Sequence, residues 1–586
     1  MNEDRPNILL LTVDALRADR TSIHGYEKPT TPVLERLAEN AIVCDNAFSL
    51  GPFTQSASVQ LFTSTRPLSY GGFDKGAAGR PDTLFKFFND RGYQTSALST
   101  LHWVSRFSGY GAGLEDEIQL FTLNTLVGVS VANMRNTLSA FHDGELDSET
   151  MLRSVGPVIS KLFDDAEDYC NTRLAKDPVF RREFPNSQFV NAGYDFGKVR
   201  KIVFRHRDEY NRDPLAYVKR HLNYTPEAHQ WLAHEWRYAR SITRLAGEAW
   251  LRFLTKTLGI FSPGRANRLR HRFKHYVDAP ALADKVISML EDRDADRPFF
   301  IWTHFMDCHL PYVSGKGRKW FDETAQHLDA LGYPTDIDPT AAFRPGRPES
   351  SEGWQAVSAL YDASVRGVDK EIGRIVDALD AMGLGKNTWV VIAGDHGEEL
   401  GEHGDLGHNF VFYEHSIRKP MMFRRLGEKK QRTGGLATSL DLAPTIASLC
   451  EFEKLDEWVG SFVCGEAVSE RPHVVMETFF GGNCLFHLRP IYLGVRNHRY
   501  KFLWKEWRDP RDKLTPDGPE LYDLKSDPEE KNNIFRPDHP ALPPLRRAAA
   551  ERLAEIPEVS SERIVNAFGE DGRSAIAAFR HEYQEK

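Results

Sequence analysis

The sequence predicts an α/β fold with a doubly wound, mostly parallel sheet and helices on both faces. Two observations support this prediction. Apolar, β-branched runs alternate with helical patterns along much of the chain, as expected of parallel strands joined by crossover helices. In addition, the run TWVVIAG is apolar until polar residues begin directly after it, which is typical of a buried central strand.

The predicted elements follow one another in a regular order. NILLLTV predicts the first strand, TPVLERLAENA and DTLFKFFNDRG predict helices, and YQTSALST predicts a further strand. Far downstream, PFFIWTH predicts a strand, a long amphipathic helix covers about residues 351–382, and TWVVIAG follows as a strand.

Changes in the pattern predict three parts. Residues 1–106 and 279–470 form a catalytic core. Residues 107–278 form a helical insertion, because the text there turns to stretches such as YVKRHLNY and WLAHEWRYARSITRLAGEAWLRFL. Residues 471–586 form a small C-terminal α+β subdomain, which begins with short strand patterns such as IYLGVRNHRYKFLW and ends in a helical tail.

Charge is distributed unevenly over these parts. The net charge is −8, yet residues 196–275 carry about 18 Lys and Arg against about 6 Asp and Glu. Two interpretations stay open. The basic insertion attracts an anionic polymer or a membrane surface, or it is a lid or oligomer surface whose charges are simply solvated. Nothing in it resembles a nucleic-acid-binding module.

Composition predicts a large globular protein of 586 residues that forms a homo-oligomer. No run approaches the ~20 apolar residues of a transmembrane segment. The acidic start MNEDRPNILLLTVDAL differs from a secretory signal. The 6 cysteines are scattered without CxxC pairs, which favours a reduced, cytoplasmic location.

Metal-binding residue types follow two of the predicted strands. Asp395 and His396 come directly after TWVVIAG, and Asp14 comes directly after NILLLTV. Either group alone is more often a turn or a helix cap. Because the carboxyl ends of parallel strands meet at one edge of a sheet, we expect these side chains to converge on a divalent cation.

A third strand, PFFIWTH, ends in the same way, with His304 followed by Asp307 and His309. Near the first strand, a stretch rich in hydroxyl groups leads into a helix and offers a nucleophile that a metal would activate. Composition does not choose among its members, which are Thr54, Ser56, Ser58, Thr63, Ser64 and Thr65.

These segments resemble the sulfatase family of the alkaline phosphatase superfamily. The motifs that carry the resemblance are PNILLLTVDALRAD, LFTSTRP, PFFIWTHFMDCHLPY, YDASVRGVDKEIGRIVDAL, NTWVVIAGDHGEELGEHG, SLDLAPTIASL and ELYDLKSDPEEKNN. The resemblance implies an alkaline phosphatase-like core, with a metal bound by Asp14, Thr54, Asp395 and His396.

The sequence departs from the sulfatase pattern at its most characteristic positions. Thr54 stands where sulfatases have the cysteine that becomes formylglycine, and Ala15 replaces the second aspartate of the first motif. Thr100, Leu101 and His102 replace the family's Lys-Trp-His, and His408 replaces a second lysine. A threonine nucleophile is similar to the phosphodiesterases, phosphonate monoester hydrolases and phosphoglycerol transferases of the superfamily.

We therefore predict a metal-dependent hydrolase of phosphate monoesters or diesters that forms a phospho-threonine intermediate on Thr54. His309 or His408 would protonate the leaving oxygen. Further contacts to the substrate are expected from Thr100, His102, Asp307 and His403.

Two other functions stay open: a sulfatase acting on a carbohydrate or aryl sulfate, and a phosphoglycerol or phosphoethanolamine transferase. The cofactor is expected to be one divalent ion. Histidine among the ligands favours Mn or Zn, Mg and Ca are compatible, and a second metal is an open alternative.

Overall fold

The computed structural model describes residues 5–184, 193–222, 231–236, 239–240, 276–310, 312, 326–333, 350–479, 490–507 and 516–584, with a few single residues between 246 and 257. About half of the predicted helical stretch WLAHEWRYARSITRLAGEAWLRFL lies outside these residues. No helix among the described residues is long and apolar enough to cross a bilayer.

A nine-stranded sheet forms the centre of the protein, in the order β11-β2-β10-β6-β1-β5-β3-β4, with β9 paired to β2. Its strands are β1 (Asn7–Val13), β2 (Ala41–Phe48), β3 (Gln94–Ser99), β4 (Asp116–Gln119), β5 (Phe299–Phe305), β6 (Thr388–Gly394), β9 (Arg418–Lys419), β10 (Met421–Arg424) and β11 (Gln431–Thr438). β1 is parallel to both β5 and β6, whereas β9 and β10 run antiparallel to their neighbours. The predicted doubly wound, mostly parallel sheet is confirmed.

Helices cover both faces of the sheet because the central strands are apolar on both sides. In β1, Leu9 and Leu11 belong to one buried cluster, while Ile8 and Leu10 belong to the cluster on the opposite face. The helices of this part are α1 (Pro32–Ala38), α2 (Thr54–Thr63), α3 (Leu84–Asn89), α9 (Ala279–Glu291), α10 (Ser351–Ala381), α11 (Glu414–Ile417), α12 (Leu442–Leu449) and α13 (Glu466–Ser469). A two-stranded hairpin, β7 (Glu399–Leu400) and β8 (Leu406–Gly407), follows β6.

The region predicted as an insertion contains a helical unit with its own buried apolar cluster. Its helices are α4 (Leu123–His142), α5 (Ser148–Glu183), α6 (Phe196–Arg212), α7 (Pro214–His221) and α8 (Trp231–Trp236). β4 lies beyond the predicted start of the insertion at residue 107, yet it pairs with β3 in the main sheet. The helices of the insertion therefore begin with α4 rather than at residue 107. The sequence did not predict β4, because the four residues DEIQ are mostly polar and form no apolar run.

After the core, the chain forms a four-stranded antiparallel sheet packed against helices. The strands are β12 (Val474–Phe479), β13 (Ile491–Arg496), β14 (Tyr500–Lys505) and β15 (Glu520–Asp523), and the helices are α14 (Leu542–Ala554), α15 (Ser561–Phe568) and α16 (Glu570–Gln584). This arrangement is the predicted α+β subdomain.

A buried ion pair within this subdomain is also hydrogen-bonded to the core. Arg552 of α14 contacts the carboxylate of Glu477 through two nitrogens, and both side chains are at most 3% exposed. Glu477 also accepts a hydrogen bond from the backbone N–H of Leu68 at 2.7 Å. Since Leu68 follows α2, the pair links α14, β12 and the segment after the helix that carries Thr54.

We expect Arg552→Ala to lower the free energy of unfolding by roughly 3–5 kcal/mol, because the change leaves the Glu477 carboxylate buried without its counter-charge. Chemical denaturation followed by circular dichroism measures the effect. Arg573→Ala, which breaks a pair with Glu570 that is more than half exposed, is the control. Equal unfolding curves for the two variants would contradict the structural role of the pair.

Candidate metal centre and active site

Three neighbouring strands end at one edge of the sheet and bring their terminal side chains together. β5, β1 and β6 lie side by side and parallel. His304 is near the end of β5, Asp14 follows β1 and Asp395 follows β6. All three residues are at least 97% buried. Ligand atoms of these three residues lie within 4.8 Å of one another, which is compatible with binding of a single cation.

Thr54 enters this cluster as the first residue of α2. Its hydroxyl oxygen lies 3.2 Å from Oδ2 of Asp14 and 3.2 Å from Nε2 of His396. Because a hydroxyl has one proton to donate, it satisfies only one of these two acceptors. The four residues that the resemblance implies as ligands are thus neighbours in the structure.

The cluster has more acceptor atoms than donors. Nδ1 of His396 lies 2.7 Å from the carbonyl oxygen of Gly397 and donates to it, which leaves the lone pair of Nε2 directed at Thr54 and the carboxylates. Nε2 is 3.6 Å from Oδ1 of Asp14 and 3.5 Å from Oδ2 of Asp395. Both of these carboxylate oxygens are buried without a hydrogen-bond partner among the described residues. A divalent cation fits this arrangement, because it supplies the positive charge that these acceptors lack.

Hydrogen bonds hold the ligands in this orientation. Oδ1 of Asp395 accepts from the backbone N–H groups of Ala15, at 3.0 Å, and His396, at 2.7 Å. Nε2 of His304 lies 3.3 Å from Oδ2 of Asp14. Burial opposes charge on Asp14, but the positive potential of His309 and the hydrogen bond from His304 outweigh it and hold the pKa of Asp14 well below its usual range. The Asp14 carboxylate is therefore charged at neutral pH.

A cavity of about 330 Å³ opens beside Thr54. Both histidines predicted as the proton donor, His309 and His408, line it. The ring centroid of His408 lies 4.9 Å from that of His309 and 4.6 Å from that of His396. Burial opposes protonation of His408, but its hydrogen bond to Glu398 at 3.2 Å raises the pKa above the usual value of 6.5. His408 thus lies at the cavity wall with a raised pKa, and its role as a proton donor stays a prediction.

The four residues predicted to contact the substrate do not line this cavity. The hydroxyl of Thr100 donates a hydrogen bond to the backbone carbonyl of His304, and Asp307 is fully buried. Burial also lowers the pKa of His102 to about 3. His403 stacks on Tyr413 with ring centroids 3.7 Å apart. None of the four is among the described residues that line the cavity, and their contact with the substrate stays a prediction.

Three residues adjacent to them in the sequence, Leu101, Trp103 and Met306, line the cavity instead. The other lining residues are Asp14, Phe53, Thr54, Gln55, Asp74, Leu101, Trp103, Asn133, Met306, Asn409 and Phe410. Leu101 and Trp103 flank His102. The family motif therefore identifies the loop that reaches the cavity, but it does not identify the side chains of that loop that face the cavity. Asn133 comes from α4 and has no signal in the sequence. His304 was visible as the end of a strand, although it was not among the predicted ligands.

Buried carboxylates and histidines at the carboxyl edge of a mostly parallel sheet, with a hydroxyl group beside them, are typical of the alkaline phosphatase-like class of ester hydrolases. The profile described as Sulfatase matches residues 6–176 and 205–451, which is more than half of the chain. The protein belongs to the sulfatase family. A second profile, N-sulphoglucosamine sulphohydrolase, C-terminal, matches residues 401–558. The predicted family is therefore confirmed.

Individual relatives are distant. An uncharacterized sulfatase, YidJ, from Escherichia coli strain K12 is 25% identical over 285 residues, which cover 46% of this chain and 51% of that protein. The chain thus matches about half the length of this relative. An N-acetylglucosamine-6-O-sulfatase from Bacteroides thetaiotaomicron is 20% identical over 555 residues, covering 91% of this chain and 83% of that protein.

The fold is also shared with solved sulfatase-like structures. A structure determined in complex with its substrate D-glucosamine-2-N,6-O-disulfate superposes with a TM-score of 0.54 at 16% identity. The alignment covers 97% of this chain and 100% of that one. At this identity the likeness shows the fold.

We expect Asp395→Ala to reduce bound divalent metal from about one ion per chain to about a tenth of that, because the substitution removes one carboxylate from a site with few ligands. Elemental analysis of the purified, dialysed protein measures this. Asp116→Asn, at an exposed carboxylate of β4, is the control. Unchanged metal content in Asp395→Ala would place the ion elsewhere.

Proposed function

We propose that the protein hydrolyses sulfate esters of small or carbohydrate alcohols with Thr54 as the nucleophile. The observation that carries this proposal is the Thr54 hydroxyl, which lies 3.2 Å from Asp14 and from His396 at the edge of the cavity. The family profile and the sulfatases among the relatives support sulfate. The prediction of phosphate esters as the main substrates has no such support, and the sulfatase alternative fits these comparisons better.

The side chains suit a two-step reaction. Asp14, Asp395, His396 and Thr54 would hold the ion, with His304 close enough to assist. A divalent cation in this site lowers the pKa of a hydroxyl group and stabilises negative charge on the ester oxygens. We favour Mn or Zn because of the histidine ligand.

In the first step, Thr54 would react as the alkoxide after its hydroxyl proton has passed to water, and its Oγ1 would bond to the sulfur atom while the bond between sulfur and the leaving oxygen breaks. His408 transfers its proton to that oxygen, so that the alcohol departs neutral. In the second step, water attacks the sulfur of the sulfated threonine, His408 takes up the proton of the water, and the bond to Oγ1 breaks. The Thr54 alkoxide is regenerated, and the sulfate group leaves as hydrogen sulfate, which loses its remaining proton to water.

Phosphate esters are the second candidate, favoured by the identity of Thr54. A formylglycine hydrate can release its sulfate by collapsing to an aldehyde, but threonine has no second hydroxyl on the same carbon. The ester formed on Thr54 must therefore be cleared by attack at the central atom, a route that is well suited to phosphorus. Parallel rates with matched aryl sulfate, phosphate monoester and phosphate diester distinguish the two candidates.

We expect Thr54→Ala to reduce turnover by about 1,000-fold or more, since no other oxygen replaces the nucleophile. Thr54→Ser keeps the hydroxyl and should retain measurable activity. Initial rates under saturating metal, with circular dichroism to verify folding, measure both variants. Activity of Thr54→Ala within tenfold of the wild type would exclude Thr54 as the nucleophile.

We expect His408→Ala to reduce the rate of hydrolysis of alkyl esters by about 100-fold and that of activated aryl esters much less. The reason is that only the alkyl alcohol needs a proton to leave. His408 donates a proton, so the wild-type rate with an alkyl ester should fall as the pH rises through its raised pKa. This decrease in rate with rising pH should be absent in His408→Ala. His498→Ala, at an exposed histidine between β13 and β14, is the control. Equal losses on both ester types would contradict the role of a proton donor.

A further inference from the structure

The described walls of the cavity beside Thr54 lack the side chains that most often bind polyanions. Among the described residues that line it, none is lysine or arginine. A polyanionic glycan is normally held by such side chains, since they pair with sulfate and carboxylate groups. The volume of about 330 Å³ lies at the low end for ligand pockets. The cavity thus suits a small alcohol that bears no further anionic group.

A carboxylate outside the metal centre faces this cavity. Asp74 lies in a short 3-10 helix, Phe73–Lys75, and its Oδ2 atom is buried without a hydrogen-bond partner among the described residues. Burial raises the pKa of Asp74 to about 7, and the nearby Gln55 amide opposes this only in part. A cation bound beside Asp74 would restore its charged form and supply the missing partner.

Aromatic rings complete the surroundings of this carboxylate. Phe53, Trp103 and Phe410 line the same cavity, and the rings of Phe53 and Phe410 meet edge to face with centroids 5.6 Å apart. The negative faces of aromatic rings attract ammonium groups, quaternary ones in particular. A carboxylate together with several aromatic side chains is a suitable lining for an organic cation and an unfavourable one for an anion.

We propose that Asp74, Phe53, Trp103 and Phe410 form a subsite for a positively charged ammonium group on the leaving alcohol. The inference rests on the proposed function, since it concerns the alcohol that Thr54 displaces. The ammonium group is either part of an alkylammonium alcohol or the free amine of an amino sugar. In both cases the ester itself lies against Thr54 while the ammonium group lies among the aromatic rings and Asp74.

The test compares matched esters that differ in charge. One pair is choline sulfate and 3,3-dimethylbutyl sulfate, in which carbon replaces the charged nitrogen. The other pair is glucosamine 6-sulfate and glucose 6-sulfate. We expect kcat/KM to be about tenfold higher for the cationic member of at least one pair. The pair that shows the preference identifies the type of alcohol.

Asp74→Asn should bring this ratio close to one while changing the rate with the neutral ester less than about threefold. Asp74→Glu, which keeps the charge, should retain part of the preference. Asp456→Asn, at an exposed aspartate far along the chain, should leave the ratio unchanged. Equal rates within both pairs for the wild type, or an unchanged preference in Asp74→Asn, would overturn the subsite.

A binding measurement separates this inference from the proposed function. Calorimetry with choline and 3,3-dimethylbutanol, and with glucosamine and glucose, needs no turnover. Tighter binding of a cationic alcohol that is lost in Asp74→Asn supports the subsite even if no sulfate ester is hydrolysed, in which case the proposed function fails alone. Hydrolysis of the neutral esters together with equal binding of both alcohols in each pair would overturn the subsite and leave the function intact.

Discussion

The parallel alignment of β5, β1 and β6 is the constraint on which the active site depends. Parallel strands end at the same edge, so residues that are almost 400 positions apart in the chain, such as Asp14 and Asp395, become neighbours. The sheet is buried on both faces, and its rigidity keeps two carboxylates close together against their mutual repulsion. A cation relieves this repulsion, so fold and metal chemistry support each other.

The sequence predicted much of this arrangement because strand ends are local signals. The apolar runs before Asp14 and Asp395 mark where each strand stops, and a parallel sheet then brings the ends together. The choice of Thr54 among six nearby hydroxyls came only from the resemblance to sulfatases. In the structure, Thr54 is the first residue of α2 and points at the cluster, whereas Ser58 and Thr63 bond to carbonyls of the helix itself.

Other features depend on contacts between distant segments, which a single sequence does not reveal. The antiparallel strand β10 between β2 and β6 is one example. The cavity wall is another, because the contribution of Asn133 and the burial of His102 follow from how the helices pack on the loop after β3. The cytoplasmic location, the homo-oligomeric state and a role of the basic insertion in attracting anions stay predictions.

The first helix of the insertion reaches the cavity through Asn133, whose amide donates to the backbone carbonyl of Asp74 at 3.4 Å. This helix belongs to a unit with its own apolar cluster, so its sequence can change while the metal centre stays intact. Substitutions within that unit would change the part of the cavity wall that faces the leaving alcohol. The insertion thereby adds one side chain to a cavity wall whose other described residues come from the core, and the selectivity for the alcohol is shared between two stretches of polypeptide.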